Sequence, residues 1–284
     1  MIIDAHCHAG SGDGFTGPWD TRASLDDYRE RCDRAGITHS LLLAAFNSDY
    51  ARANARIARM VQGDPDRYFA FCFVHAKTDR GHIAEMVHQS IVVDGFVGIK
   101  VHRHDAPITR EICDAARHHR APVLYDVSGE VAPVELFATE YPDVDFIIPH
   151  LGSFSDDWKA QLGLIDMLER HPNVHTDSAG VRRFDLLEQA VRRAGAHKLL
   201  FGSDGPWLHP GVELAKIDAL ELEPRDHQLV VAGNFLRLTH ACRSRSRVRS
   251  TGHSRVHSNG RSHVRSSSLA HPSRVHAASA VRDR

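Results

Sequence analysis

Met1-Ile2-Ile3-Asp4-Ala5-His6-Cys7-His8 opens the chain and predicts a short strand that ends in two histidines. Side chains two residues apart on a strand project from the same face, so His6 and His8 can point at one position. Neutral imidazole is a common ligand of zinc and similar ions. In parallel α/β folds the chemistry lies at the carboxyl ends of the strands, so the pair predicts a metal site there. Two polar residues that merely leave a strand would give the same pattern, and the rest of the chain decides between these explanations.

Residues 1–242 alternate between short apolar runs and stretches with helical patterning. The apolar runs predict strands at 1–5, 37–45, 67–74, 95–101, 122–127, 144–149, 173–177 and 198–203. The helical patterns cover 22–35, 49–62, 80–92, 108–120, 131–140, 156–171, 183–195, 210–220 and 225–240. Eight strand-then-helix units in a chain of this length predict an α/β fold, a (β/α)8 TIM barrel.

An open, doubly wound sheet is the alternative arrangement of such units. That fold more often carries a glycine-rich phosphate-binding turn after its first strand. Here the corresponding segment, Gly10-Ser11-Gly12-Asp13-Gly14, lacks the GxGxxG spacing and follows the histidine pair. We interpret it as a mobile loop beside the predicted site, which favours the barrel.

The charge is divided unevenly along the chain. Residues 243–284 contain ten arginines, no lysine and one acidic residue, Asp283, so this segment carries a net charge of +9, whereas residues 1–242 carry −10. The basic segment also holds eleven serines and five histidines but few large apolar side chains, so it cannot bury enough surface to offset its chain entropy. We expect a barrel domain over 1–242 and a disordered Arg/Ser/His-rich tail over 243–284.

The cysteines and the absence of long apolar runs indicate where the protein works. The five cysteines are widely spaced and form no CxxC pair, which is typical of a reduced, cytoplasmic protein. No apolar run approaches the roughly 20 residues that cross a bilayer, and the N-terminus lacks the pattern of a signal peptide. We therefore expect a cytoplasmic protein without a membrane partner, and the sequence leaves a homodimer open.

Titratable side chains end most of the later predicted strands. They are Lys100 and His102 on the fourth strand, Asp126 on the fifth, His150 on the sixth, Asp177 on the seventh and Asp204 on the eighth. In a barrel, such strand ends converge on one pocket. Buried aspartates and histidines are costly unless they are paired or bind a metal, so the set predicts a metal-assisted site.

Several of these residues lie in motifs of a known family. The chain resembles the amidohydrolase superfamily, specifically its amidohydrolase-related (amidohydrolase 2) branch. The motifs are IDAHCH at 3–8, GIK at 98–100, IPHLG at 148–152, FGSDGPW at 201–207 and GNFLRL at 233–238. They follow one another in the family's order, and the resemblance implies a metal-dependent (β/α)8 barrel from residue 1 to about 240.

The resemblance also implies roles for individual residues. His6 and His8 correspond to the metal-binding pair. Asp204 corresponds to the aspartate of the eighth strand, which binds metal and handles the proton of the attacking water. His150 corresponds to a second-metal ligand or a general acid/base. Lys100 occupies a position where some superfamily members carry a carboxylated lysine and many members of this branch an ordinary one.

One residue departs from the family pattern. The fifth strand of the family usually ends in a histidine ligand, whereas Pro122-Val123-Leu124-Tyr125 is followed here by Asp126. A carboxylate can still bind a divalent ion, so Asp126 is a candidate fourth ligand. The replacement favours one ion over two, with Zn²⁺ expected and Mn²⁺ as the alternative. A weakened or lost metal site is the other interpretation of this aspartate.

The expected activity is that of a metal-dependent hydrolase which activates water to open an amide, lactone or ester of a small, carboxylated substrate. Asp204 and His150 are the catalytic candidates, and Lys100, His102 and Trp207 are candidates for binding the substrate. A non-oxidative decarboxylase of the same branch is the first alternative. A non-catalytic metal-binding or nucleic-acid-binding protein is the second alternative. It rests on the basic tail and on the missing histidine of the fifth strand, although a run of charges is usually a solvated segment.

Overall fold

A computed structural model describes residues 1–14 and 21–253, with side chains described up to residue 243. Within this range strands and helices alternate as predicted. The barrel strands are β1 (Ile3–Ser11), β2 (His39–Ala44), β3 (Tyr68–Ala70 continued by Cys72–Phe73), β4 (Ile99–His102), β5 (Val123–Asp126), β6 (Phe146–Ile148), β7 (Val174–Asp177) and β8 (Leu199–Leu200).

The strands form a closed parallel barrel. β1 pairs with β2 and β2 with β3, while β3 through β8 pair in chain order, all in parallel. The seam between β8 and β1 closes through the backbone hydrogen bond from Ala5 N to Phe201 O, 2.9 Å, and a parallel bridge between Cys7 and Gly205. The (β/α)8 prediction is therefore confirmed, and the open doubly wound sheet is excluded.

Helices surround this barrel. They are α1 (Leu25–Ala35), α2 (Tyr50–Gly63), α3 (Ile83–His88), α4 (Arg110–His119), α5 (Ala132–Glu140), α6 (Trp158–Arg170), α7 (Phe184–Ala194), α8 (Pro210–Asp218), α9 (Pro224–Gln228) and α10 (Asn234–His253). Helices α1 to α7 lie between consecutive strands, and α8 to α10 follow β8. Ser24, Asp49 and Asp157 accept backbone hydrogen bonds at the starts of α1, α2 and α6, as N-cap residues do. Gly36 ends α1 at φ 73°, a conformation that favours glycine.

Apolar side chains fill the lower part of the barrel interior. Leu41, Leu43, Phe71 and Leu124 are fully buried there, and Phe235 of α10 packs against the same cluster from below. Burying a large apolar side chain of this kind contributes roughly 1.5–3 kcal/mol each. The closed apolar floor leaves the polar strand ends at the opposite, carboxyl end of the barrel, where they line a pocket.

The structure differs from the expected boundaries at both ends of the barrel. β1 does not stop at residue 5 but continues through both histidines, since it pairs with β2 up to Ala9 and Ala44. Gly10 and Ser11, expected in a mobile loop, pair in antiparallel fashion with residues 22 and 23. α10 passes the expected domain boundary at 242, and residues 254–284 of the expected disordered tail lie outside the described residues. Of the helices that the structure describes, none combines the length and hydropathy needed to cross a membrane.

Candidate metal centre and substrate pocket

The two histidines of β1 have their rings fixed by acceptors on neighbouring strands. A register irregularity between Asp4 and Cys7 redirects the strand at this point, as β-bulges beside functional sites do. His6 Nδ1 lies 2.8 Å from Asp177 Oδ2, and His8 Nδ1 lies 3.0 Å from the carbonyl oxygen of Ala44. Both partners can only accept, so each Nδ1 carries the hydrogen, and in the neutral rings each Nε2 keeps a free lone pair.

Asp204 brings a carboxylate to these two nitrogens. Its backbone N–H donates to His6 O at 2.7 Å, and its φ of 56° is left-handed, which costs energy for a residue with a side chain. Asp204 Oδ1 lies 3.4 Å from His8 Nε2 and 3.7 Å from His6 Nε2. Burial acts to raise the pKa of Asp204, but the neighbouring imidazoles of His8, His6 and His150 outweigh it and hold this pKa at about 2.

The donor chemistry of this cluster fits a divalent cation. The ligand atoms of His6, His8 and Asp204 all lie within 4.8 Å of one another. Burial, followed by the charge of Lys100, lowers the pKa of His6 to about 4, so this imidazole is neutral at neutral pH. The Nε2 lone pair of His6, the Nε2 atom of His8 and one carboxylate oxygen of Asp204 therefore face one position, and zinc binds such nitrogen and oxygen donors.

Asp177 supports the cluster from behind. Its Oδ2 accepts from His6, and its Oδ1 accepts the backbone N–H groups of His150, 3.0 Å, and Ala179, 3.1 Å. Burial opposes the charge, but His6 and His150 lower the pKa of Asp177 below its ordinary value. A second group of potential ligands comprises His6, His150 and Asp177. Both carboxylate oxygens of Asp177 already accept hydrogen bonds, whereas Asp204 faces the Nε2 atoms of the two imidazoles, so the first group is the better metal site.

Asp126 lies between two further histidines. Its Oδ2 is 3.1 Å from His102 Nε2 and 3.4 Å from His150 Nε2, and its Oδ1 accepts the backbone N–H of Ser128 at 2.8 Å. Burial acts to lower the pKa of His150, but the hydrogen bond and the negative charge of Asp126 outweigh burial and raise the pKa of His150 to about 9. Burial lowers the pKa of His102.

Lys100 places an ammonium group at the base of the pocket. Its side chain is fully buried, and among the described residues Nζ has no hydrogen-bond partner. Burial lowers the pKa of Lys100, although the negative charges of Asp126, Asp204 and Asp177 act in the opposite direction. A buried donor without a partner is costly, so this group is suited to a bound ligand that accepts hydrogen bonds.

Apart from Asp177, which lies behind His6, the residues predicted for the site from the sequence line one cavity of about 300 Å³. They are His6, His8, Lys100, His102, Asp126, His150, Asp204 and Trp207. The Trp207 ring stacks against His8 at 4.6 Å between ring centroids, and Phe46 and Phe154 form two more aromatic walls. The two phenylalanines were missed because they lie on loops, where no periodic pattern or charge marks them.

Asp4 is a further residue whose role the sequence did not reveal. It is fully buried and accepts hydrogen bonds from Tyr28 OH, 2.7 Å, Ser203 N, 2.9 Å, and His6 N, 3.1 Å. The bond from Ser203 ties β1 to the segment after β8. The segment includes Asp204, so Asp4 holds the two halves of the candidate metal site in one register.

Fold and site together define a class, the (β/α)8 barrels with a histidine pair on β1 and an aspartate after β8. The amidohydrolase 2 family model, described as amidohydrolase, matches residues 3–238. The chain therefore belongs to the amidohydrolase 2 family and is an enzyme. Among the curated proteins, none matches the chain.

Solved structures share the fold at low sequence identity. A 2,6-dihydroxybenzoate decarboxylase from Rhizobium is 17% identical with a TM-score of 0.64, covering 84% of this chain and 98% of its own. A probable 2-pyrone-4,6-dicarboxylic acid hydrolase from Acinetobacter baumannii, with citric acid bound, is 17% identical with a TM-score of 0.64, covering 84% and 99%. A 5-carboxyvanillate decarboxylase from Novosphingobium aromaticivorans, with manganese bound, is 15% identical with a TM-score of 0.66, covering 84% and 97%.

Proposed function

We propose that the protein is a metal-dependent hydrolase that opens an ester, lactone or amide bond in a small, carboxylated substrate. The observation that carries this proposal is the convergence of His6 Nε2, His8 Nε2 and Asp204 Oδ1 inside a buried pocket. His6, His8 and Asp204 would hold one divalent ion, with Zn²⁺ favoured by the nitrogen and oxygen donors and Mn²⁺ as the alternative. When bound, such an ion lowers the pKa of water and polarises a carbonyl group.

Asp204 is the candidate proton acceptor. With a pKa held at about 2, its carboxylate is ionised at neutral pH and can take one proton from the attacking water. The water oxygen then forms a bond to the carbonyl carbon of the substrate. Since Oδ1 faces the two imidazoles, we assign the proton to Oδ2.

His150 is the candidate proton donor. Its raised pKa keeps the imidazole protonated at neutral pH, and its ring lines the same cavity. As the bond between the carbonyl carbon and the leaving oxygen or nitrogen breaks, His150 supplies the proton that the leaving group needs. The proton taken up by Asp204 later restores the imidazolium, so the cycle consumes one water and no net proton on the enzyme.

Lys100 is the candidate anchor for the substrate. Its buried ammonium can donate hydrogen bonds to a carboxylate of the substrate, which would satisfy a donor that otherwise lacks a partner. His102 lies beside it on β4, and Trp207 offers a flat apolar surface above His8. These contacts support a small anionic substrate with a planar portion.

The free, buried cysteines support a reducing compartment such as the cytoplasm. A homodimer remains a proposal.

The first experiment measures metal content by plasma mass spectrometry on the full chain and on the double variant His6→Ala/His8→Ala. We expect about one zinc or manganese per chain, lost in the double variant. Both proteins keep the same C-terminal histidines, so adventitious binding there cancels in the comparison. No metal above the level of the double variant, even after reconstitution, would overturn the proposed mechanism.

The second experiment separates hydrolysis from decarboxylation. Carboxylated lactones and esters are screened by proton release, carboxylated amides by release of the free amine, and carboxylated phenols by release of CO₂, with Asp204→Asn as the inactive control. Release of a proton or of a free amine that depends on Asp204 would support a hydrolase. Release of CO₂ alone would replace the hydrolase proposal with the decarboxylase alternative. Two of the structural neighbours are named as decarboxylases.

A further inference from the structure

Asp126 stands where the family resemblance leads one to expect a histidine ligand, and its contacts suggest another role. Oδ2 faces the Nε2 atoms of His102 and His150, at 3.1 and 3.4 Å, and Oδ1 accepts the backbone N–H of Ser128. The carboxylate is buried with the rings it contacts. Both of its oxygens therefore already face groups that can donate hydrogen bonds.

The hydrogens on these two rings can be assigned from their other contacts. His102 Nδ1 lies 3.0 Å from the backbone N–H of His104, so it accepts, and the hydrogen of the neutral ring is on Nε2, which donates to Asp126. His150 Nδ1 lies 2.7 Å from the carbonyl oxygen of Ala179, so it donates. A stabilising contact between His150 Nε2 and the carboxylate then requires a hydrogen on this nitrogen as well.

The surroundings of Asp126 thus differ from those of Asp204. At Asp204, the carboxylate faces the Nε2 atoms of His6 and His8. In the neutral form of each ring the hydrogen is on Nδ1, which donates it to an acceptor on the far side of the ring.

At Asp126, the nearer ring nitrogen, His102 Nε2 at 3.1 Å, carries the hydrogen of its neutral ring, because His102 Nδ1 accepts from the backbone of His104. The first arrangement is completed by a cation, whereas a cation bound to Asp126 would have to displace the N–H donor of His102 and the backbone N–H of Ser128.

We propose that Asp126 is a positioning residue, which orients the rings of His102 and His150 toward the substrate pocket, and that it is not a ligand of the metal. The metal site then has three protein ligands, His6, His8 and Asp204. The effect of Asp126 on turnover rests on the proposed function. Its effects on metal binding and on the orientation of the rings are tested without a substrate.

The metal-binding test compares Asp126→Asn with Asp204→Asn in the full chain. Zn²⁺ affinity is measured by competition with a chromophoric chelator. We expect Asp126→Asn to change the dissociation constant by less than about twofold and Asp204→Asn to raise it by at least about tenfold, since losing a ligand costs more than losing a supporting contact. Equal weakening in both variants would identify Asp126 as a ligand and overturn the proposal.

A spectroscopic test addresses the positioning role directly. A ring N–H that donates to a buried carboxylate gives a slowly exchanging, downfield proton resonance, which is assigned to His102 by its absence in His102→Asn. In Asp126→Asn this resonance should move upfield or exchange with water, since a neutral amide oxygen is a weaker acceptor. Asp126→Glu, which keeps the carboxylate, should retain it in part. An unchanged resonance in Asp126→Asn would overturn the positioning role.

Turnover then links the two proposals. In Asp126→Asn, kcat per bound metal should fall by about 10–100-fold, as expected when a proton donor loses its orientation. An unaltered kcat per bound metal would overturn the catalytic consequence. If the wild type turns over no tested substrate, the proposed function fails, while the chelator and proton-resonance results still decide the role of Asp126.

Discussion

The Nδ1 atoms of His6, His8 and His150 each face an acceptor on a neighbouring strand or loop, and this arrangement sets the chemistry of the site. For His8 and His150 the acceptor is a backbone carbonyl, which a substitution cannot remove. For His6 it is the side chain of Asp177. Among these three contacts, the bond between His6 and Asp177 is therefore the one that mutagenesis can break.

Asp177→Asn should weaken the metal site without removing a ligand. The asparagine amide can turn its NH₂ group toward His6 Nδ1. This would favour the tautomer of His6 with its hydrogen on Nε2, the nitrogen that faces the metal site. Loss of such a supporting contact typically lowers metal affinity by about 10–100-fold. Competition with a chelator measures the change in the full chain.

The matched control is Asp145→Asn, because Asp145 also faces a buried histidine, His175, at 3.2 Å but does not line the pocket. Its metal affinity should equal that of the wild type. A similar loss of affinity in both variants would mean that Asp177 acts through stability alone and not through the tautomer of His6.

Lys100→Met should have opposite effects on stability and on substrate binding. Methionine has a similar volume but no charge, so the metal-free protein should gain about 1–3 kcal/mol of unfolding free energy when a buried, unpartnered ammonium is removed. The affinity for carboxylated substrates or inhibitors should fall. Urea unfolding and inhibition constants measure the two effects.

Lys216→Met provides the contrast for this prediction. Lys216 Nζ contacts Glu213 at 2.6 Å and the carbonyl oxygen of Val181 at 2.9 Å, outside the pocket. Removing a partnered cation should lower stability and leave inhibitor affinity unchanged. If Lys100→Met also lowered stability, the neighbouring aspartates would need its charge in the resting protein, and its role as a free anchor would be refuted.

Single residues were predictable from the sequence where a motif and a strand end coincide. His6, His8 and Asp204 meet both conditions, and the structure brings their side chains together. The function of Asp177 was not predictable, since it depends on which nitrogen of a histidine 171 positions away carries a hydrogen. The departure of Asp126 from the family pattern was visible in the sequence, but its contacts with two histidine rings arise only from the tertiary structure.

At the scale of elements, the candidate metal site spans the seam at which the barrel closes. His6 and His8 lie on β1, while Asp204 follows β8, and the backbone bonds from Ala5 to Phe201 and from His8 to Gly205 are the neighbouring closures. A cation held by these side chains would cross-link the first and last strands. Metal binding is therefore expected to stabilise the whole barrel and not only the pocket.

Adding Zn²⁺ to metal-free protein should raise Tm in a concentration-dependent manner. A ligand that binds only the folded state stabilises it by about 2.7 kcal/mol when present at 100 times its dissociation constant. In His8→Ala the shift should be absent. His104→Ala, altered at the pocket rim, should keep the full shift, and a shift in His8→Ala as large as in the wild type would show that zinc acts elsewhere.

Element types followed from hydrophobic patterning, whereas several boundaries did not. The predicted strands match because strands covered on both faces appear as continuous apolar runs. β1 extends past residue 5 since backbone pairing with β2 continues into the polar HxH segment, which a hydrophobicity pattern does not register. The helices predicted at 80–92 and 225–240 contain π-helical turns, Gln89–Val93 and Leu229–Gly233, whose wider backbone hydrogen bonds carry no simple sequence signal.

At the scale of the whole molecule, the five cysteines are all free and all buried, on elements spread around the barrel. Burial raises the pKa values of the Cys32, Cys72 and Cys113 thiols to about 12. The ordinary value for an exposed cysteine, which applies to the unfolded chain, is about 8.5. The folded protein therefore keeps protons that the unfolded chain releases between these two values.

Stability should fall as the pH rises above about 8.5, because in this range the unfolded state binds fewer protons than the folded state and the slope of the unfolding free energy is negative. Each thiol contributes at most about 1.4 kcal/mol per pH unit, and this contribution ends as the pH passes about 12. Urea unfolding at pH 8, 9 and 10 measures the slope, and Cys113→Ala isolates one thiol. The variant should start from a lower stability because a buried side chain is truncated, yet lose stability less steeply with pH. A slope identical to that of the wild type would mean that the Cys113 thiol ionises in the folded protein as readily as in the unfolded chain.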